Sequence, residues 1–280
     1  VDWTKFAYVQ YVTNEAYLCN SVMIFESLHR LKSKPNRLMM HPDSWKLDDP
    51  GLNSETKMLL EKARDEYGVE LNPIQVQNGG GEPTWAESFT KLLLFNQTQF
   101  DRVLLLDSDG SILNPPDELF LLPSAPVAMP RAYWLDNFLS SQVIVAEPSK
   151  FEWQRIEEGI KKHQSTEFDM EIVNQLYGQS CIVIPHRKYD ILTGEFRNKE
   201  DDHWHYLGSK EEKWDPDQII KETKFVHFSD WPFPKPWIDG GDGARQQRMP
   251  ECHQRENGKE DCRDQKYWLW FYSDFSERRQ

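Results

Sequence analysis

Two acids close an apolar run: Val103-Leu104-Leu105-Leu106 is followed at once by Asp107-Ser108-Asp109-Gly110. Burying two like charges this close together is costly unless a cation neutralises them. Along an extended chain, alternate side chains point the same way, so Asp107 and Asp109 would face one spot. They could then grip one divalent ion, and through it a diphosphate. Oxygen ligands suit Mg2+ or Mn2+. The plainer reading is an Asp/Ser/Gly turn at the end of a strand, which is common.

The elements around the pair favour a ligand site. A continuous apolar run marks a strand buried on both faces, as in parallel sheets covered by helices. In such sheets ligands bind at the carboxyl ends of strands. Residues 6–13 read as a first strand. A helix over 15–31 comes next, with Leu18, Val22, Phe25 and Leu28 at helical spacing. Residues 38–40 form a second strand. Asn53 caps a helix to about residue 67, and 69–76 form a third strand. Residues 78–81 are a glycine breaker, and Thr84 opens a helix carrying Trp85, Phe89, Leu92 and Phe95. Further on come a strand at 142–146, a helix at 148–163, a helical stretch at 168–176, and strands at 181–184 and 225–227. This alternation predicts an α/β domain with a mainly parallel central sheet. Residues 197–217 read as an irregular lobe and 273–280 as a solvated tail.

Composition limits the partners. The 280 residues are 38% apolar and 28% charged, enough for a large core. A net charge of −13 repels a nucleic-acid backbone. A nucleotide-sized ligand would need a metal or local donors for its phosphates. No apolar run approaches the roughly 18 residues of a membrane span. The chain starts at Val1 rather than Met, so it reads as an excised soluble portion, and any anchor or signal would lie outside it. Cys19 and Cys181 sit in apolar stretches. Cys252 and Cys262 flank a polar segment that a disulfide would staple, and Asn96-Gln97-Thr98 is a glycosylation acceptor pattern. Together they point to a secretory-pathway lumen.

An apolar run followed by Asp-x-Asp-Gly-Ser resembles the first motif of haloacid-dehalogenase-like phosphatases, with Asp107 as nucleophile and Asp109 as its acid/base partner. That family also needs a second apolar strand ending in an acidic pair. Asp201-Asp202 is the nearest candidate, and no strand precedes it. A second resemblance is more specific. Val226-His227-Phe228-Ser229-Asp230-Trp231-Pro232-Phe233-Pro234-Lys235-Pro236-Trp237 resembles the His-x-x-Gly-x-x-Lys-Pro-Trp signature of family 8 glycosyltransferases, the glycogenin-like group, and is closest to the fungal α-N-acetylglucosaminyltransferase branch. With Asp107 and Asp109 upstream, the resemblance spans about residues 6–237.

It implies a GT-A type, Rossmann-like fold: one catalytic domain over 1–272, with a nucleotide-binding half (1–130) and an acceptor and donor-sugar half (131–272). It implies a UDP-sugar donor, N-acetylglucosamine first, a glycan or glycoprotein acceptor, and Mn2+ or Mg2+ held by Asp107, Asp109 and His227. The residue types suit this, because a neutral imidazole can complete a site begun by two carboxylates. Thr13, Asn14 and Tyr17 match the uracil-binding turn, where Tyr17 would stack on the base. Asn14 or Thr13 serves equally as a helix cap. Lys91 matches a donor-binding lysine. Ser140-Ser141-Gln142 and Asp169 match donor-sugar contacts, and Ser108 and Asp230 complete the donor-contact set. Lys235 would neutralise the departing diphosphate. Asp169 and Lys235 are thus the catalytic candidates.

The chain also departs from the pattern. Met170 replaces a glutamine that lies below the anomeric carbon in some members. Asp230 stands where glycine is usual, and the spacing from His227 to Lys235 is two residues longer. With no nucleophile at Met170, same-face attack is the expected route to retention. The resemblance also implies a Golgi-resident type II membrane protein. A non-catalytic UDP-sugar-binding or glycan-binding module is the remaining alternative.

Overall fold

The computed structural model describes residues 1–77, 87–135, 137–199, 202–230, 233–238, 242–254 and 258–280. Strand β1 (Phe6–Tyr11), helix α1 (Glu15–Arg30), β2 (Asn36–Pro42), α2 (Ser54–Tyr67) and β3 (Val69–Ile74) come in the expected order. Each helix starts where a side chain can satisfy its free N–H groups. Asn14 Oδ1 accepts from the amides of Ala16 and Tyr17, and Asn53 Oδ1 from those of Glu55 and Thr56. Helix α2 ends at Gly68, whose positive φ of 63° suits a residue without a Cβ.

Next come β4 (Arg102–Leu106), β5 (Gly110–Ile112), β6 (Val127–Pro130) and β7 (Val143–Ala146). After them lie α3 (Lys150–Lys162), α4 (Asp169–Tyr177), β8 (Ile182–Ile184), β9 (Ile191–Leu192) and β10 (Phe225–His227). Among the described residues the central sheet has seven strands in the order β3-β2-β1-β4-β7-β6-β8. The first four are parallel, as expected for strands joined through helices, while β7 runs antiparallel to both β4 and β6. Residues 131–142 join β6 to its neighbour β7, so the chain reverses without a crossover.

Strand β4 is buried along its whole length, as its apolar run predicts. Its alternate residues feed two cores. Leu104 and Leu106 pack with Phe25 and Leu28 of α1, and Val103 and Leu105 with Leu92, Ile156 and Ile172 on the other face. A third core joins Phe228 and Phe196 to Trp268, Phe271, Tyr272 and Phe275 of a C-terminal helix, Arg263–Arg278. Residues 273–280 are therefore not a solvated tail. Phe275 is fully buried, and Arg278 donates to Met23 O, Glu26 and Ser27 of α1.

The glycine breaker at 78–81 and the helix start at Thr84 lie outside the described residues. The segment Ser88–Asn96 is a 3-10 helix, and Ser88 to Phe95 are all buried. The lobe at 197–217 contains a short helix, Trp204–Leu207. Cys252 and Cys262 form the expected disulfide, closing a small hairpin of His253–Gln254 and Glu260–Asp261.

Candidate active site

Long-range pairing builds the site. Strand β10 pairs antiparallel with β5, setting His227 opposite Gly110, and the Phe228 amide donates to Asp109 O at 2.9 Å. Gly110 makes the approach possible, because a Cβ there would lie 2.3 Å from the Phe225 ring and 2.7 Å from Val226 O. His227 Nε2 consequently sits 2.9 Å from Asp109 Oδ1 and 4.0 Å from Asp107 Oδ2. One ligand atom from each of the three residues falls within 4.8 Å of the others. Two carboxylates and an imidazole at this spacing fit a divalent cation. The other cluster of potential ligands among the described residues, Cys252, Glu260 and Cys262, has both thiols in the disulfide and offers no equivalent set.

Two lysines face the acids in different ways. Lys91 is 3% exposed, and its ammonium lies 2.8 Å from Asp107, 2.9 Å from Asp169 and 3.2 Å from Ser141 O. Three acceptors occupy its three N–H groups. Lys91 therefore ties Asp107 to Asp169. Burial alone would push its pKa down, but the Asp107 and Asp169 carboxylates outweigh that and hold it well above the usual lysine range. Lys235 reaches Asp109 Oδ2 at 2.7 Å and also donates to Phe228 O.

Burial lifts the Asp107 carboxyl to about 6 against the pull of Lys91. Burial also pushes Asp109 up, but the His227 imidazole and the Lys235 ammonium outweigh it and hold that carboxyl well below the usual range. Neighbouring acids pulled apart in this way are a mark of functional sites.

The other predicted residues divide. Asp169 opens α4, and Ser141 Oγ donates to it at 2.7 Å. Gln142 O accepts from the Asp107 amide at 2.9 Å, and Ser140 Oγ accepts from the Gln142 amide at 3.2 Å, so 140–142 is one turn backing both acids. Ser108 is buried between the two aspartates. Thr13, Asn14 and Tyr17 lie just past the carboxyl end of β1, beside β4. Burial, and then the charges of Asp109 and Asp107, raise the Tyr17 phenol to about 12.

Asp230 points elsewhere. Its fully buried carboxylate accepts from Tyr272 OH at 2.6 Å, Trp268 Nε1 at 3.1 Å, Arg197 at 3.3 Å and Thr193 Oγ1. It ties the strand carrying His227 to the C-terminal helix. Trp214 stacks on His203 at 4.0 Å and donates to Asp264, Trp204 is partly exposed, and Trp231 lies outside the described residues.

Two residues of the site carry no motif in the sequence. Tyr11, at the end of β1, lies under Lys91, 5.9 Å from the ammonium to the ring centroid. Asp190 is fully buried, neither of its oxygens makes a well-formed hydrogen bond, and the Ser140 hydroxyl gives partial relief. Burial lifts it to about 8. An acid placed directly before the apolar pair Ile191-Leu192 is the one signal available for it.

The sheet order and the acid pair at the end of β4 define a GT-A glycosyltransferase fold. The glycosyltransferase GlyE of Streptococcus pneumoniae TIGR4 superposes with a TM-score of 0.61 at 16% identity, over 99% of this chain and 62% of that one. No family model matches the sequence. Among curated relatives, glucose N-acetyltransferase 1 of Gibberella zeae is 54% identical over 287 residues, covering 100% of this chain and 62% of its own length. Its namesake in Aspergillus fumigatus is 41% identical over 298 residues, covering 100% and 77%. The chain belongs to the glucose N-acetyltransferase 1 family. It spans 62% of the first of these relatives. The resemblance to the fungal transferase branch is thereby borne out, and the phosphatase reading falls.

Proposed function

We propose that this chain is a retaining glycosyltransferase that moves N-acetylglucosamine from UDP-N-acetylglucosamine to a glycan or glycoprotein acceptor, with Mn2+ at Asp107, Asp109 and His227. One observation carries the reading: two acids and an imidazole converge at the carboxyl end of the central strand, with the Lys91–Asp169 pair beside them. The relatives' name joins glucose to an N-acetyl group. A site that grips a diphosphate next to a sugar-binding acid would move the N-acetylated glucose whole rather than its acetyl group.

When bound, the cation supplies charge neutralisation at the diphosphate. The rest is the work of side chains. Asp169, held by Lys91 and Ser141, accepts from donor-sugar hydroxyls and fixes the ring. Tyr17 stacks on the base. Lys235 turns from Asp109 to the leaving phosphate as negative charge grows there. Met170 offers no nucleophile, so the acceptor hydroxyl attacks from the face that UDP leaves, and the departing phosphate takes its proton.

The test is transfer and slow donor hydrolysis with UDP-N-acetylglucosamine, UDP-glucose and UDP-galactose, with and without Mn2+. Asp107→Asn should lose at least about a hundredfold in kcat and lose Mn2+-induced thermal stabilisation. Full activity in excess chelator, or acetyl transfer from an acetyl thioester, would sink the reading. The Cys252–Cys262 disulfide and the exposed Asn96 support a Golgi lumenal location. A mobility shift on glycosidase treatment of the native protein checks it.

A further inference from the structure

We infer that Arg279, at the end of the C-terminal helix, braces the nucleotide-base turn and is a positioning residue that sets donor affinity. The inference rests on the reading of Thr13, Asn14 and Tyr17 as that turn. Arg279 Nη1 donates to Ala16 O at 3.1 Å and also to Asn20 Oδ1. Both acceptors lie in the opening turns of α1, Ala16 within the base turn and Asn20 one helical turn further on. The same guanidinium lies over the Trp237 ring, 6.0 Å from its centroid. Trp237 in turn meets Tyr17 edge-on at 5.7 Å and packs on Phe275 at 5.8 Å.

Three segments far apart in sequence thus meet at one cation: the start of α1, the loop that carries Lys235, and the end of the chain. Asn20 is fully buried, and its Nδ2 has no partner. Arg279 is what satisfies the other half of that amide. Without it the Asn20 oxygen is also left unmet inside the helix, and Trp237 loses the cation over its face. Tyr17 would then lean on an unsupported ring, and a stacking platform that must be ordered on binding gives weaker binding. Lys91, Asp107 and Asp169 touch none of these groups, and the Lys235 ammonium is held by Asp109 and Phe228 O rather than by Arg279, so the chemical step should be spared.

The experiment uses the whole chain with Arg279→Met, which keeps an apolar stem over Trp237 but removes every N–H donor, and Arg279→Lys. UDP affinity in Mn2+ is measured by calorimetry, with KM, kcat and the ligand-free melting temperature alongside. Arg279→Met should weaken UDP on the order of tenfold and raise the donor KM in step, with kcat within about twofold. Arg279→Lys should recover part of the loss. Arg278→Met, which frees only the middle of α1, should weaken UDP less. Unchanged UDP affinity in Arg279→Met overturns the brace, as does a kcat loss equal to the KM change. A wild-type chain with no UDP affinity defeats the base-turn reading itself, and the brace with it.

Discussion

Replacing Asp190 by Asn should stabilise the protein at neutral pH and not in acid. The carboxyl is fully buried, its oxygens lack well-formed hydrogen bonds, and its pKa stands at about 8 against an ordinary 3.8. Burial is the main cause, Asp107 adds to it, and Ser140 and Lys91 offset it in part. A raised carboxyl contributes its full stability only below the unfolded value. That contribution is lost as pH climbs from about 4 towards 8. At pH 7 the unfolded acid is ionised while the native one is mostly protonated. At about 1.4 kcal/mol per decade, the native state then carries a penalty of roughly 4 kcal/mol. An Asn amide is neutral and nearly isosteric, but it brings unmet hydrogen bonds of its own, so the net gain should be about 2–4 kcal/mol. For a chain of this size that is roughly 5–10 °C in melting temperature. Thermal and urea unfolding of both proteins from pH 4 to 8.5 reads it out. The two curves should converge near pH 4 and separate upward. A pH-independent difference, or a variant less stable throughout, refutes the assignment of a neutral buried acid.

Gly110→Ala drives a methyl into the Phe225 ring and Val226 O, so it should cost about 1–3 kcal/mol and weaken the Mn2+-induced melting shift as β5 and β10 part. Asp230→Ala strips the shared acceptor from Tyr272, Trp268 and Thr193 and leaves Arg197 unpaired, and should lose about 3–5 kcal/mol in urea unfolding. A loss under about 1 kcal/mol would contradict the role of Asp230 as a tie. The double change Cys252→Ser with Cys262→Ser opens a loop with a sequence separation of 10 and should cost about 2–3 kcal/mol, matching the effect of reductant on the wild type.

Range in sequence separates the legible parts of this fold from the hidden ones. Apolar runs and periodicity locate β1, α1 and β4, the Asn53 cap locates α2, and the acid pair comes with them because a buried strand must end somewhere polar. Strands β5 and β6 leave no such trace. Gly110 reads as the end of an Asp/Ser/Gly turn, and Gly110–Ile112 becomes a strand only because Phe225–His227 pairs with it from more than a hundred residues away. The end of the chain misleads for a different reason. Its polar content (Ser273, Asp274, Glu277, Arg278, Arg279) masks Trp268, Phe271, Tyr272 and Phe275, which recur at helical spacing. Asp230 looks like a ligand contact because it stands just after His227. Only the fold shows that its partners come from the C-terminal helix.

Lys91 and Lys235 carry the same charge and do different jobs, and burial decides which. The Lys91 side chain is 4% exposed with every N–H engaged, so moving it would strand Asp107 and Asp169 together without a cation between them. Such a separation costs several kcal/mol. It is therefore fixed, and on the proposed reading it keeps Asp107, the metal-ligand candidate, and Asp169, the sugar-contact candidate, at constant spacing. The Lys235 side chain is 33% exposed, and its two partners are Asp109 and a backbone carbonyl. A divalent ion at Asp109 would take over the neutralisation that Lys235 now provides. The ammonium then becomes free to track the diphosphate as its charge develops. On the proposed reading, Lys235 can therefore serve the transfer although its loop is longer than the glycogenin pattern. A mobile charge needs reach rather than a fixed position.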